Sequence, residues 1–588
     1  MAVPRKLPRK VRLSYILGGT ATHTELLLLS RVLEITDQQQ LLLVVAVAIL
    51  AWAVHSSGYF PWTDLTILKA VRGGWWKGPL LAVLLVLGLR GALQPAFGTP
   101  QPEVHDEFSY LLMGDTFAHL RLTNPTPPAW QHFETFHVNL VPSYQSKYWP
   151  GQGIILAAGE LLFHQPWVGI YLTTALMAGV ICWALAAFVS PAWAFTGAML
   201  CALRLCIVGY WMNSYWGGSL AALGGALCLG ATARLVQPER RNRIALGFAL
   251  GLGFCILGFT RPFEGALFSL PLVIWMALHT LRRKTAENRA ERWHALAVAA
   301  SVVAVALAFL AYYNFRVTGS ATLSPYSLYE SKYNFLPLFF WGTPHPAPHY
   351  ANPDIATFYK GWEYDFYHVM QTWHGFLYSE STRRMQLGRF FVGPVLSIPL
   401  AAGIVISVTS ARLRIIFWCG LATFIAYSLP IFYQPHYFAP ATVVVFGSIV
   451  IGLQWLWTSR SVLLRCLAGS LCVVALIFAP LDSFHSRYYE FPRGTDRQLI
   501  AEWVSGVPGK HLILVNYSGK HELRHELVFN GADFPSERIL WARGMGATRD
   551  MELCGPFADR HFWALDTDDY FFRVSPSTLC DHSPPHQK

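Results

Sequence analysis

The chain has 588 residues, of which 53% are hydrophobic and only 13% charged, and its formal net charge is +11. Soluble globular domains carry about 25% charged residues, so this composition excludes that class. The basic residues lie in short segments between apolar runs and form no extended basic stripe with interleaved aromatics, which argues against nucleic-acid binding. The composition predicts a polytopic α-helical membrane protein.

Apolar runs of the length that crosses about 30 Å of hydrocarbon recur along the chain. The first, at 41–54, follows a basic start and is left open as a full span, a re-entrant segment or an interfacial one, because a full crossing would place the basic residues outside. With or without it, about 11–12 transmembrane helices are expected. The other predicted spans are 80–94, 166–188, 192–210, 219–235, 244–259, 265–281, 295–315, 391–408, 415–429, 441–457 and 466–480.

Alternating these spans across the bilayer places every Arg-bearing segment on one face, which the positive-inside rule makes cytoplasmic. These segments are 237–243, 282–294, 410–414 and 458–465. The opposite face collects the polar loop 96–150, the aromatic segment 317–390 and the end of the chain. We therefore predict an integral inner (cytoplasmic) membrane protein with a basic N-terminal segment (1–78), a transmembrane domain (79–483) and an extracytoplasmic C-terminal domain (484–588).

The C-terminal segment changes in character after residue 482, where hydropathy falls. Residues 511–515, 538–541 and 561–565 are predicted to be buried strands, and helix-capable stretches separate them, which predicts a small α/β domain with a partly parallel sheet. Cys554 and Cys580 lie in this segment and are expected either to pair or to stay free. The other cysteines fall in predicted spans, where they are small apolar residues.

Two adjacent acids, Asp106 and Glu107, follow the span 80–94 at the start of the polar loop. A carboxylate there would serve as a general base toward an acceptor hydroxyl or amine. Alternatively, the two acids would hold a divalent cation, or they would cap a helix that begins near Phe108. His105 precedes the pair, and His119, His132, Glu134 and His137 share the loop.

Lys147 and Tyr148 lie where this loop returns to the membrane, and a Lys at that depth either anchors the helix or neutralises a lipid-linked phosphate. Arg204 lies near the middle of a predicted span, which makes it a functional candidate with Glu160 as a partner. Further candidates on the same face form a set of polar and aromatic residues at turns. They are Asn213, Tyr215, Trp216, Arg261, Glu264 and His436.

This pattern resembles the GT-C superfamily of membrane glycosyltransferases, near the protein O-mannosyltransferases and the aminoarabinose transferases that modify lipid A. Three features carry the resemblance, which covers roughly 79–480: the Asp106-Glu107 pair after the span, the Tyr-x-x-Lys-Tyr-Trp-Pro stretch at 144–150, and the aromatic-proline turn at 436–440. The last departs from the family pattern, in which an Arg often precedes the Tyr.

The resemblance implies inverting transfer of a sugar from a polyprenyl-phosphate donor to a glycan, lipid or protein acceptor on the outer face. Asp106 or Glu107 would act as the base or orient the acceptor, Lys147 would meet the donor phosphate, and Arg261 would substitute for the contact that His436 leaves in doubt. The remaining candidates would contact substrate: His105, Tyr148, Arg204, Asn213, Tyr215, Trp216 and Glu264.

Two rival functions and the cofactor stay open at this point. A multi-span transporter should show inverted repeats, of which the sequence has none, and a non-enzymatic envelope scaffold would leave the polar candidates without a shared purpose. The sequence identifies no cofactor, and whether a divalent metal is used stays open.

Overall fold

A bundle of apolar helices forms most of the molecule, and a small sheet domain packs against one face of it. The structure, a computed structural model, describes residues 36–57, 74–237, 242–281, 286–490, 495–518, 521, 523, 526–567 and 572–580. The predicted basic start of the chain lies outside these residues, as do parts of the segments 237–243 and 282–294.

The helices of the first half are α1 (Asp37–Ser56), α2 (Lys77–Ala92), α3 (Gln94–Phe97), α4 (His105–Ala118), α5 (Pro150–Phe163), α6 (Pro166–Leu185), α7 (Pro191–Cys201), α8 (Ser219–Leu235), α9 (Arg243–Thr260), α10 (Pro262–Leu281) and α11 (Ala286–Thr318). Those of the second half are α12 (Pro325–Tyr333), α13 (Pro353–Thr357), α14 (Tyr364–Met370), α15 (Trp373–Leu387), α16 (Gly393–Thr409), α17 (Arg414–Ser428), α18 (Thr442–Trp457), α19 (Val462–Glu490), α20 (Thr495–Ser505) and α21 (Ala547–Asp550).

Eight helical stretches of the described chain are long and apolar enough to cross a membrane. They are Asp37–Ser56, Pro166–Leu185, Arg243–Thr260, Pro262–Leu281, Ala290–Thr318, Trp373–Thr409, Pro435–Trp457 and Val462–Asp482. Shorter apolar helices lie at Pro150–Phe163, Pro191–Cys206, Ser219–Leu235 and Arg414–Ser428. The predicted class, a polytopic helical membrane protein with a small C-terminal sheet domain, is confirmed.

The segment left open at 41–54 lies within α1, a helix of spanning length. The Thr36 side chain accepts a hydrogen bond from the Gln39 backbone, and the Gln39 side chain accepts one from Thr36 N, so a capping box begins the helix. α1 packs against α19, where Gln40 Nε2 donates to Asp482 Oδ1 at 3.1 Å. These contacts make α1 part of the bundle.

Small residues let the bundle pack closely. A Cβ atom on Gly403 of α16 would lie 1.8 Å from the Ser448 carbonyl oxygen of α18, and one on Gly452 of α18 would lie 2.0 Å from the Pro399 carbonyl oxygen of α16. The two backbones therefore touch, as helices in a membrane do when small residues line their interface.

The loop 96–150 is ordered by α4, by a short 3₁₀ turn (Trp130–Phe133) and by a two-stranded antiparallel hairpin of β1 (Val138–Asn139) and β2 (Gln145–Ser146). The aromatic segment 317–390 holds α12 to α15 and a π-helical turn (Phe358–Glu363). Both segments are thus structured parts of the molecule.

The C-terminal sheet consists of β3 (Lys510–Tyr517), β4 (Ile539–Arg543), β5 (Arg560–Thr567) and β6 (Phe572–Pro576), in the order β4-β3-β5-β6. β3 is parallel to β4 and β5, whereas β5 and β6 are antiparallel, so the predicted partly parallel sheet is present. Cys554 and Cys580 form a disulfide bond.

This domain packs directly on α4 and the loop that follows it. The Phe108 ring of α4 stacks on Phe529 at a centroid distance of 4.4 Å, and Asp115 of α4 accepts a 2.6 Å hydrogen bond from the Ala532 backbone. Leu112, Phe133, Leu140 and Tyr144 from the loop share one buried cluster with Leu512, Leu514, Leu540 and Phe562 from the domain. α4 therefore lies between the bundle and the C-terminal domain.

Candidate functional site

The two adjacent acids at the start of α4 have different surroundings. Glu107 is buried and accepts hydrogen bonds from three backbone N–H groups: those of Glu103 (2.8 Å), Val104 (3.2 Å) and Tyr215 (2.8 Å). Burial raises the pKa of Glu107 to about 7, although these N–H groups stabilise the charged form. Glu107 therefore closes the first turn of α4 and ties it to the turn that follows α7, so the capping interpretation describes Glu107.

Asp106 instead points into a cluster of rings. Its Oδ2 lies 3.1 Å from His105 Nδ1 and its Oδ1 lies 4.0 Å from His137 Nε2, and the Tyr148 hydroxyl donates a hydrogen bond to Oδ1. His105 and His137 are 7% and 5% exposed, whereas the Asp106 side chain keeps 21% of its exposure. Asp106 is thus the member of the cluster that faces open space.

The pair Asp106 and Glu107 does not form a shared cation site, which corrects one of the alternatives predicted from the sequence. Successive residues on a helix point about 100° apart, because a turn contains 3.6 residues, and Glu107 uses its oxygens on backbone N–H groups. The three residues of the described chain whose ligand atoms come together are His105, Asp106 and His137, all within 4.8 Å of one another.

Electrostatics keeps the acid of this cluster charged. Burial opposes ionisation of Asp106, but the charges of His137 and His105, with the hydrogen bond from Tyr148, hold the pKa of Asp106 well below its usual range. Burial, together with the charges of Lys147 and His105, lowers the pKa of His137 well below its usual value. Asp106 is therefore the group of this cluster whose charged form is favoured.

His137 is held in place by an unusual backbone. Its φ is +62°, in the left-handed region that residues other than glycine rarely adopt. Its carbonyl oxygen accepts hydrogen bonds from Ser109 Oγ at 2.6 Å and from Lys147 N at 3.0 Å. The hairpin and α4 together thus impose a strained conformation that turns the His137 ring toward Asp106.

Lys147 is buried and already has a partner. Its Nζ forms a 2.9 Å ion pair with Glu330 Oε1 of α12, and it lies over the rings of Tyr326 (5.1 Å) and Tyr329 (4.7 Å). Burial and the charge of Glu330 raise the pKa of Glu363, in the π-helical turn near this pair, well above its usual value. A donor phosphate would therefore reach Lys147 only in competition with Glu330.

Arg261 lies at the junction of α9 and α10 and, unlike Lys147, forms no ion pair with the residues that the structure describes. Its guanidinium lies over the Tyr437 ring at 4.1 Å, and its charge acts on the hydroxyls of Tyr110 and Tyr148. Among the residues that the structure describes, no carboxylate lies within 4.0 Å of Arg261; Glu264, one turn further along α10, is buried without forming an ion pair with it. Tyr110 and Tyr148 stack at 4.4 Å, and the Tyr148 hydroxyl donates to Asp106, so the two rings lie between the Asp106 carboxylate and the region in which the charge of Arg261 acts.

His436 is buried next to this arrangement. Its Nδ1 lies 3.0 Å from the Tyr210 hydroxyl, and its ring lies 4.9 Å from the Trp216 ring. Asn213 and Tyr215 have structural partners: Asn213 Oδ1 accepts from Arg90 Nε at 3.2 Å, and the Tyr215 hydroxyl donates to the Pro100 carbonyl at 2.9 Å. These two residues therefore hold the turn after α7 against the start of the loop.

Arg204 differs from the sequence prediction in position and partner. The α-helix that carries it ends at Cys201 and continues as a π-helical turn (Ala202–Cys206), so Arg204 lies at a helix end rather than mid-span. Its Nη1 forms a 2.9 Å ion pair with Asp482 of α19, not with Glu160, and its Nε donates to the Phe390 carbonyl at 3.0 Å. Its described contacts join three helices.

The structure brings Asp106, His105, Tyr148, Lys147, Arg261 and His436 to one face of the bundle, together with residues that sequence reasoning did not select. His137 was noted only as one of several histidines in the loop, and its proximity follows from the hairpin between β1 and β2. Tyr110 would have been accessible to helical spacing, since it lies one turn after Asp106 on α4. Glu330, Glu363 and Tyr437 lie too far along the chain for any local pattern to place them.

No protein-family model matches the sequence, and the curated proteins contain no match to it. Among solved structures, the fold is similar to that of the aminoarabinose transferase ArnT from Cupriavidus metallidurans in the apo state, at 12% identity and a TM-score of 0.47, covering 86% of this chain and 97% of that one. The same protein bound to undecaprenyl phosphate matches with 12% identity and a TM-score of 0.45, covering 86% and 98%.

An oligosaccharyltransferase from Archaeoglobus fulgidus, tethered with an acceptor peptide, matches with 12% identity and a TM-score of 0.41. That match covers 75% of this chain and 62% of the other, so this chain spans less than two thirds of the length of that protein. Identities and TM-scores this low assign neither a residue role nor a substrate. Both proteins are GT-C members, and it is to them that the fold of this chain is similar.

Proposed function

We propose that the protein is an integral membrane glycosyltransferase that moves a sugar from a polyprenyl-phosphate donor to a glycan, lipid or protein acceptor on the extracytoplasmic face. The observation that carries this proposal is the row of side chains from Asp106 through Tyr148 and Tyr110 to Arg261. One end of the row carries a negative charge and the other carries a positive charge with no carboxylate within 4.0 Å among the described residues.

A displacement at the anomeric carbon of a sugar needs this separation of charge. The acceptor oxygen would form its bond to the anomeric carbon on the Asp106 side and lose its proton to that carboxylate. The bond to the phosphate oxygen would break on the opposite side, and the electron pair would leave with the polyprenyl phosphate. Because attack and departure occur on opposite faces of the sugar, the configuration would invert. Positioning and fixed charges supply most of the catalysis in such a site.

The cations have distinct roles in this proposal. Arg261 is planar, always charged and free of any ion pair within the described residues, so it suits a phosphate better than Lys147 does. Lys147 would reach the same phosphate after exchanging Glu330 for it. The Arg261 guanidinium lies over the Tyr437 ring, and His436 packs against Tyr437. His436 would therefore help to position the phosphate-binding end of the site.

Mass spectrometry of envelope glycans and of polyprenyl-phosphate sugars tests the proposal. Cells that carry Asp106→Asn should lack one glycan modification and accumulate the matching lipid-linked sugar, as cells without the gene should. His119→Asn, a change at an exposed residue near the end of α4, should leave both profiles as in the wild type. Unchanged glycans and donor lipids in the absence of the gene would overturn the proposal and favour a transporter or an envelope scaffold.

A further inference from the structure

A buried ion network lies where the first loop, the segment 317–390 and the C-terminal domain meet. Arg543, at the end of β4, donates from Nη1 to Asp354 of α13 and from Nη2 to Glu526 of its own domain. The Arg543 side chain is 6% exposed, that of Glu526 is 0% and that of Asp354 is 19%. The guanidinium also lies over the Tyr517 ring at 4.9 Å. One carboxylate therefore reaches Arg543 from inside its domain and one from outside.

The domain itself needs only the inner carboxylate. Glu526 neutralises Arg543 within the domain, and its Oε1 accepts hydrogen bonds from the Tyr517 hydroxyl and, at 2.9 Å, from Val528 N. Taking a further carboxylate out of water costs desolvation energy. The stability of the domain alone therefore does not explain why Asp354 joins the network.

Asp354 leads directly to the candidate site. It lies in the first turn of α13, and that helix continues into the π-helical turn that begins with Phe358. The Phe358 ring is buried and meets two imidazoles edge on, at 5.7 Å from His105 and 6.1 Å from His137. Asp354 and Phe358 are four residues apart, about one helical turn, so a shift of the helix at the ion pair would move the ring that packs beside Asp106.

The first loop fixes the same network from its other side. His132 Nδ1 lies 3.0 Å from the Arg543 carbonyl oxygen. Asn352 Nδ2 donates to the Glu134 carbonyl at 3.1 Å, and Asn352 Oδ1 accepts from Asp354 N at 2.9 Å, which caps α13. The ion pair thus joins two parts of the chain that the first loop already holds next to each other.

We propose that Arg543 is a positioning residue that acts through Asp354 on Phe358. With the ion pair in place, the Phe358 ring is held against the two imidazoles beside Asp106. The C-terminal domain then shapes the site as well as covering α4. The catalytic part of this inference rests on the proposed function, whereas the mechanical link from the domain to α13 does not.

The mechanical link is tested by hydrogen exchange of the full-length protein in lipid nanodiscs, without donor or acceptor. Asp354→Asn removes the outer charge and leaves Arg543 paired with Glu526. Backbone amides of 353–363 should exchange about 10-fold faster or more in Asp354→Asn and in Arg543→Gln, since residues in one ion-pair network commonly couple by that factor. Arg543→Gln strands Glu526 in the domain interior, so Asp354→Asn alone decides if Arg543→Gln fails to fold.

Matched controls break polar contacts whose described partners all lie inside the C-terminal domain. Asp559→Asn removes the carboxylate that lies 3.3 Å from Lys510 Nζ. Arg560→Gln removes a buried guanidinium that donates to the carbonyl oxygens of Glu537 at 2.7 Å and Phe534 at 2.8 Å. Both controls should leave the exchange of α13 and the rate of transfer as in the wild type.

Transfer is measured with the polyprenyl-phosphate sugar purified from cells that lack the gene, and with envelopes of those cells as the acceptor. Asp354→Asn should lower kcat between about 10- and 100-fold, because a displacement of about 1 Å near reacting groups can cost that much. The donor KM should change less, since Phe358 packs at the Asp106 end of the row. A merely structural loss would instead reduce the amount of folded enzyme and leave both constants of the folded fraction unchanged.

The outcomes separate this inference from the proposed function. Faster exchange of 353–363 together with a lower kcat in Asp354→Asn supports the positioning role. Unchanged exchange in Asp354→Asn, or faster exchange with wild-type kcat, overturns it and leaves the proposed function standing. If the wild-type protein transfers nothing, the proposed function fails, while faster exchange confined to the two interface variants still supports the link from the domain to α13.

Discussion

Asp106 and Glu107 are neighbours in sequence with separate tasks. Glu107 accepts backbone N–H groups of 103, 104 and 215, so its removal would take the partner from two buried donors, those of 104 and 215. Asp106 touches no backbone donor in the described contacts and meets only side chains that belong to the proposed site. The two substitutions should therefore fail in different ways.

We expect Asp106→Asn to fold normally and to lose about 10²- to 10⁴-fold in transfer rate, the usual range for loss of a general base. Glu107→Ala should instead lower thermal stability, because each unsatisfied buried donor costs about 1–3 kcal/mol. Melting curves and initial rates of the purified variants in one reconstituted system check both. Normal activity of Asp106→Asn would remove this residue from the chemistry.

A second pair of substitutions distinguishes a Lys147 that binds the donor phosphate from a Lys147 that only forms the ion pair with Glu330. Lys147→Ala should raise the KM for the lipid donor by about 10-fold or more, since a hydrogen bond to a charged group contributes about 1.5–3 kcal/mol. Glu330→Gln removes the partner at 2.9 Å and keeps the ammonium, so donor KM should stay the same or fall. If both substitutions weaken donor use equally, Lys147 serves only to hold α12.

At the residue scale, the sequence led to the acid pair, the returning Lys and the late His, because charged groups beside apolar spans are rare and costly. It did not separate Asp106 from Glu107, because the partners that distinguish the two acids, Tyr215 for Glu107 and His137 and Tyr148 for Asp106, lie far along the chain. Glu107 meets Tyr215, 108 positions away, and Lys147 meets Glu330, 183 positions away. Local patterns contain no information at such separations.

At the scale of secondary-structure elements, contacts between helix ends hold the bundle together, and Arg204 makes two of them. Its ion pair with Asp482 and its hydrogen bond to the Phe390 carbonyl link the end of α7 with α19 and with the entry to α16. We expect Arg204→Gln and Asp482→Asn each to destabilise the protein by no more than about 3 kcal/mol, below the cost of breaking a fully buried pair, because Asp482 is 29% exposed.

The double variant should be little worse than either single one, because the partners share one interaction. Thermal melting in detergent and the donor KM of each variant are the measurements. A donor KM that rises in Arg204→Gln but not in Asp482→Asn would restore Arg204 to the substrate-binding residues.

Helices were the most predictable elements, because apolar runs of spanning length have few other uses. The predicted strands 511–515, 538–541 and 561–565 each lie within or overlap an observed strand. The start of α4 was predicted near Phe108 but lies at His105, since Glu107 accepts N–H groups preceding it and draws the earlier residues into the turn. The hairpin β1–β2 was not predicted, because two-residue strands leave no periodic signal.

At the scale of the whole molecule, the position of the C-terminal domain fixes its side of the membrane relative to the site. The domain packs on Phe108 and Asp115 of α4, so both lie on the same face of the bundle. An alkaline phosphatase fused after Lys588 should be active, because that enzyme folds only where disulfides form. A fluorescent cytoplasmic reporter at the same position that is bright, with an inactive phosphatase fusion, would place the site inside the cell.

The sequence predicted the C-terminal sheet domain but not its position on α4. That contact consists of apolar side chains: Phe108 stacks on Phe529, and Leu112 shares a buried cluster with Leu512. In the sequence, Phe108 and Leu112 are typical of any apolar helix face. Phe108 and Leu112 are four residues apart on α4, which puts both on one face of the helix. The sequence of that face does not show which part of the chain packs against it.

Phe108 precedes Leu512 by about 400 residues, and this separation sets the timing of synthesis. At about 5–20 residues per second, the ribosome needs about 20–80 s to make the strands that cover this side of α4. During that interval only residues of the following loop, such as Phe133 and Leu140, cover the apolar side of the helix that bears Asp106. A newly made chain can thus bury Phe108 and Leu112 fully only after the strands of the C-terminal domain have been synthesised, and a chain that ends before them would leave part of this apolar side of α4 exposed.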